Sequence, residues 1–238
     1  SAGGDKVYVE DVFSTFLYGG TGSSNAIANG IDLSGEGGLV WGKRRNQGNS
    51  NWLIDTVKGT TSRLESDGTG AAANNSSSFT SFNSNGFTVA TNNNEFNNSS
   101  GLYASWTFRK AKKFFDVVTW TGSNNTATDI GKGIVSHNLG VAPALVIVKN
   151  ATQSSTNWIV YHKDQSTGYY SFLNTNAAQT NSGSAGYFSK YDGGWSQTNP
   201  DANNIYVGYN YQTNANTDTM VAYLFASDAG GFGDDGDE

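Results

Sequence analysis

The chain has 238 residues, a net charge of −6 and no cysteine. Disulfides, thiolate metal sites and cysteine nucleophiles are therefore excluded, and an acidic chain is poorly suited to a nucleic-acid backbone. Charged residues make up only 14%, and 6 Trp, 12 Tyr and 13 Phe supply much of the apolar bulk from which a core is built. Most of the remainder is Asn, Ser, Thr and Gly, which favour turns and sheet surfaces over helix interiors, so the composition predicts an all-β protein. Read in chain order, aromatic and β-branched runs between Gly/Asn/Ser turns predict strands over 7–18, 39–43, 52–55, 79–82, 87–90 and 102–109. After a short basic run, "RKAKK" (109–113), further strands are predicted over 114–121, 144–149, 158–161, 169–173, 205–209 and 219–226.

The two sets match. Residues 33–55 set over 139–161 need no gap, and seven of the 23 pairs are identical: Leu33/Leu139, Leu39/Leu145, Val40/Val146, Lys43/Lys149, Gln47/Gln153, Asn51/Asn157 and Trp52/Trp158. "FSTFLYGGTGS" (13–23) echoes "FFDVVTWTGSN" (114–124), and "LYASWTF" (102–108) echoes "TMVAYLF" (219–225). Self-similarity of this kind predicts an internal duplication, here two tandem, sequence-related β-sandwich units of jelly-roll-like form. The first is expected over 1–110 and the second over 111–227, followed by an acidic, Gly-rich tail over 228–238. The second copy is about ten residues longer, around 176–204. Trp52 and Trp158 are expected to fill the core of each sandwich, and the linker, free of Pro and Gly, suggests two units side by side.

No catalytic constellation stands out, and no catalytic, cofactor-binding or metal-binding residue is assigned. The two histidines, His137 and His162, fall at non-equivalent places and read as surface or turn residues. Asp55, Glu65 and Asp67 are the best-clustered acids for a carboxylate pair, but the second copy has Tyr161 where the first has Asp55, and solvated loop acids are the expectation. "GGFGDD" (230–235) matches the start of a calcium-binding β-roll repeat; standing alone in an acidic tail, it offers only weak Ca²⁺ binding. "KRR" (43–45) and "RKAKK" (109–113) are expected to be solvated charge or contacts to an acidic partner. Glycosylation sequons begin at Asn74, Asn75, Asn97, Asn98, Asn124 and Asn150.

The strings "VEDVFSTFLY", "NGIDLSGEGGLVW", "SFNSNGFTV", "SWTFRKAKKFFDVVTWTG" and "HNLGVAPALVIVK" together resemble a domain of uncharacterised function that recurs in virion-associated and tail-fibre-like proteins of marine and cyanobacterial tailed phages and in environmental sequences. The resemblance runs from about Val9 to Gly233 and implies a virion or extracellular structural context; it brings no catalytic residues with it. The Met-less start and acidic end read as a segment of a larger polypeptide. The leading expectation is a non-enzymatic, self-assembling subunit of an extracellular fibre, filament or virion appendage, with "KVYVEDVFSTFLY" as its docking strand. The alternative is a carbohydrate-binding module for surface glycans, using Tyr169, Tyr170, Trp195 and Tyr211 in or near the longer loops of the second copy. A glycan-degrading enzyme is disfavoured for want of an acid pair. Copies of itself are the expected partners, with no nucleic acid and no membrane insertion.

Overall fold

A computed structural model describes residues 7–75, 77–123, 133–183 and 186–227, which are nearly all β. The described chain divides into two compact units, one of residues 7–65 and 73–115, the other of residues 66–72 and 116–227. The division differs from a cut at 110/111. The first unit continues through the turn after the basic run, where Ala111 and Phe115 form an isolated bridge, and the loop 66–72 belongs to the second unit.

In the first unit a short helix, α1 (Val9–Val12), precedes strands β1 (Phe13–Gly19), β2 (Asn25–Ala28), β3 (Gly38–Arg44), β4 (Trp52–Asp55), β5 (Ser62–Glu65), β6 (Ala73–Asn74), β7 (Phe79–Asn83), β8 (Gly86–Val89) and β9 (Leu102–Arg109). The strand expected from residue 7 starts late because Asp11 accepts the Tyr8 N–H at 2.8 Å and donates its own N–H to Tyr8 O at 3.0 Å, closing a helical turn. A six-stranded sheet has the order β1-β9-β3-β4-β5-β6, and a three-stranded sheet the order β2-β8-β7; all pairs are antiparallel. Side chains alternate across a strand, so Val40, Trp52, Ile54 and Tyr103 of the larger sheet meet Ile27, Phe79, Phe87 and Val89 of the smaller one. Trp52 sits at the centre of this core. Its ring lies 4.5 Å from Phe96 and edge-on to Phe79 and Phe87, and its Nε1–H donates to Glu95 O at 2.9 Å. Gly42, opposite Trp52 in the ladder, leaves room for the indole: a Cβ there would lie 2.5 Å from Cη2 and closer still to Cζ2 and Cε2.

The second unit contains β10 (Phe115–Thr121), β11 (Ile134–Ser136), β12 (Leu145–Asn150), β13 (Ile159–His162), β14 (Tyr169–Phe172), β15 (Thr180–Asn181), β16 (Ser189–Tyr191), β17 (Trp195–Gln197), β18 (Asn204–Tyr206), helix α2 (Tyr211–Asn214) and β19 (Thr219–Phe225). Its six-stranded sheet runs β10-β19-β12-β13-β14-β15, the same sequence of first, last, third, fourth, fifth and sixth strand as in the first unit. β11 pairs with β18, as β2 pairs with β8. The stretch 176–204, expected as a plain loop insertion, holds the β16–β17 hairpin and contributes Tyr187 and Phe188 to the core.

The ladders correct the gapless alignment. Gly42 faces Trp52, whereas Val148, 106 positions after Gly42, faces Ile159. The second hairpin loop is thus one residue longer, and Trp158 falls at the position of Asn51. Ile159 and Tyr161 point into the core between the sheets, so Trp158 lies on the opposite face of its sheet, fully buried and stacked 6.3 Å from Tyr223. The shared lysines keep one role on both sides of this shift. Lys43 Nζ donates to Asn49 O at 2.7 Å and Lys149 Nζ to Thr156 O at 2.8 Å, each tying a strand to its own hairpin loop.

Candidate functional site

The acids do not gather. Asp55, expected in solvent, is fully buried in an ion pair with Lys58 and also accepts the Lys58 N–H at 2.9 Å; burial pulls the Lys58 amine down to about 7. Glu65 is engaged by Arg63 at 2.8 Å, and Asp67 lies exposed in the second unit. Of the expected surface histidines, His162 is exposed beside Asp164, but His137 is buried. Its Nδ1 lies 3.2 Å from Leu139 N and its Nε2 3.1 Å from Asp201 O, so the ring fixes a turn. Among the described residues no group of three or more His, Asp or Glu is placed to hold a metal ion. The 230–235 segment considered for Ca²⁺, like Asn124, lies outside the described residues.

The basic run at 43–45 is likewise not all solvated. Arg44 is 1% exposed and bonded to the side chains of Asn46, Asn94 and Asn98 at 3.1–3.4 Å. Amides satisfy the guanidinium, which explains part of the Asn enrichment in "NNNEFNN" (92–98). Asn97 is equally structural: fully buried, it accepts the Thr21 N–H at 2.9 Å and donates to Ser23 O.

The aromatic residues proposed for sugar contact separate into two places. Tyr170 packs edge-on against Tyr187, 4.3 Å between centroids, and Gln212 Nε2 donates to the Tyr187 hydroxyl at 2.7 Å. Burial, reinforced by the Tyr170 and Tyr211 phenols, pushes Tyr187 up to about 12. Trp195 instead packs on Tyr191 across the β16–β17 hairpin at 5.4 Å. Tyr169 is half-buried, and Tyr211 is exposed at the start of α2.

A recess lies on the face of the first unit's large sheet that is turned away from its own core. Trp41 on β3 and Trp106 on β9 are direct cross-strand partners, and with Phe108 and Asn51 they line a recess of about 380 Å³. Both tryptophans are half-buried, whereas Leu39 and Leu53 on the same face are buried. Sequence reading passed over these residues. Trp41 and Trp106 are legible as strand residues, yet only the pairing of β3 with β9 puts them, 65 positions apart in sequence, side by side. At the matching ladder position the second unit places Ile147 opposite Tyr223, both buried, and Trp158 fills the space beside them.

Among the described residues the same sheet ends in β1. Gly20 N–H bonds to Gly101 O, so the even-numbered residues of β1 face β9, while the backbone groups of Thr15 and Leu17 point to the outer edge. That edge strand, "FSTFLYG", carries no charge and no proline, and Leu17 is 58% exposed, with Leu102 on β9 48% exposed.

These features define an all-β protein of antiparallel sheets with an uncharged edge strand and an aromatic recess on the sheet face turned away from the core. The chain belongs to the family described as Domain of unknown function (DUF7483), whose model matches residues 9–236. No curated protein and no solved structure matches it.

Proposed function

We propose that the chain is a non-enzymatic structural subunit, a tandem duplication of one β-sandwich, that assembles with copies of itself into an extracellular fibre, filament or virion appendage. The observation that carries the reading is the outer edge of β1. Protein edges that stay unpaired are normally blunted by Lys, Pro, a bulge or a covering segment, because a row of free N–H and C=O groups templates another strand. β1 has seven residues and no charge or proline, with the Leu17 side chain standing in solvent. An added strand gains backbone hydrogen bonds from Thr15 and Leu17 and buries apolar surface, the β-augmentation mode of association. Repeated head-to-tail, such a contact gives an open filament. The identical strand order of the two large sheets supports the duplication, and the low share of charged residues, 14% of the sequence, supports an extracellular or virion setting.

Sedimentation velocity over a wide concentration range tests the reading. The chain sediments as progressively larger species as concentration rises. Thr15→Pro, which removes an edge N–H without touching a bond to β9, leaves a folded monomer. A wild-type chain that stays monomeric at every concentration rules the reading out.

A further inference from the structure

We infer that the recess formed by Trp41, Trp106, Phe108 and Asn51 binds a neutral sugar ring. Its walls are two indoles and a phenyl ring, joined by one uncharged amide. The π face of an indole is electron-rich, and the C–H bonds on one face of a pyranose are weakly positive, so ring and sugar attract when stacked. The hydroxyls at the sugar's rim stay in water at the open mouth, beside the Asn51 amide. Among the described residues the lining carries no charged side chain, which favours an uncharged ligand. A volume of about 380 Å³ lies at the small end of the ~300–1,000 Å³ typical of ligand sites, suited to one or two sugar residues of a longer glycan.

The second unit shows that a sheet of the same strand order closes this position, with Ile147, Tyr223 and Trp158 buried there. An opening is therefore not required by the fold. In the second unit Trp158 takes the ladder position that Asn51 holds in the first, and Ile147 and Tyr223 stand where Trp41 and Trp106 do. This site is distinct from the Tyr170–Tyr187 and Tyr191–Trp195 clusters, and it does not depend on assembly through β1.

Affinity electrophoresis through gels carrying hydroxyethylcellulose, galactomannan, laminarin or agarose tests the inference. The wild-type chain is retarded by at least one polysaccharide, Trp106→Ala weakens the retardation at least tenfold, and Trp195→Ala leaves it unchanged. Since removing Trp106 also removes sheet packing, a second measurement uses the wild-type chain: an oligosaccharide of the retarding polymer is titrated while the indole N–H resonances are followed by NMR. Those of Trp41 and Trp106 shift, and those of Trp52 and Trp158 stay in place. No retardation in any gel, retardation unaffected by Trp106→Ala, or shifts confined to other indoles overturns the inference. So does a shift of the Trp41 and Trp106 resonances produced by protein concentration alone, which would make a second copy the occupant.

Discussion

Adding one methyl group at Gly42 should destabilise the first unit more than any surface change. The Cβ of Gly42→Ala would sit against the Trp52 indole, 2.5 Å from Cη2 and closer to two further ring atoms. Trp52 has nowhere to retreat: it is 1% exposed, packed on Phe79, Phe87 and Phe96, and held by its bond to Glu95 O. Either the indole tilts and gives up that hydrogen bond, or β3 and β4 part. Overpacking of a tight core costs about 1–3 kcal/mol, and a lost buried hydrogen bond adds about 1 kcal/mol, so a loss of roughly 3 kcal/mol is expected. Urea denaturation followed by tryptophan fluorescence measures it as a lower midpoint for the first unit's transition. Gly48→Ala, where an added Cβ meets nothing within 4 Å, is the control and stays within about 0.5 kcal/mol of wild type. In a Trp52→Leu background the cost of Gly42→Ala should largely vanish, because the two positions share one space. A Gly42→Ala chain as stable as the Gly48→Ala control would refute the packing argument.

Two further outcomes follow from buried polar groups. Lys149 is held at about 8 by burial, below the ~10.4 of an exposed lysine, so between those values the unfolded chain binds more protons and stability rises with pH. The contribution, at most ~1.4 kcal/mol per pH unit, should disappear in Lys149→Met when melting temperatures are compared between pH 8 and 9.5. Above about pH 10 the slope reverses, because the buried Tyr18 and Tyr187, both raised, resist ionisation in the folded state. In a glycosylating host, mass spectrometry should find Asn97 and Asn150 bare, since both side chains are buried and hydrogen-bonded, whereas the exposed Asn74 is open to modification.

Strand positions were legible wherever aromatic and β-branched residues clustered, as at β4 and β9, whose bounds match the reading, and the paired strand sets are mirrored in the common strand order. Short strands such as β2, β5 and β11 escaped because three or four residues of mixed polarity carry no period of their own. Side-chain facing was the harder quantity. A single extra residue in a hairpin loop turned the Trp52/Trp158 identity into two residues on opposite sheet faces, since a one-residue slip exchanges faces. The buried states of Asp55, Arg44 and His137 were also invisible. Each is satisfied by groups that the chain brings in from elsewhere or from a local turn, and composition does not record that pairing. The recess had the same obstacle, since its walls come from β3, β9 and a loop.

The central claim, assembly through the β1 edge, is tested most directly by electron microscopy of the concentrated chain beside its Thr15→Pro variant. Ordered fibres with an axial repeat of one or a few subunits in the wild type, and dispersed particles in the variant, are the predicted result. Dispersed single particles in both, or fibres that persist in the variant, would contradict it.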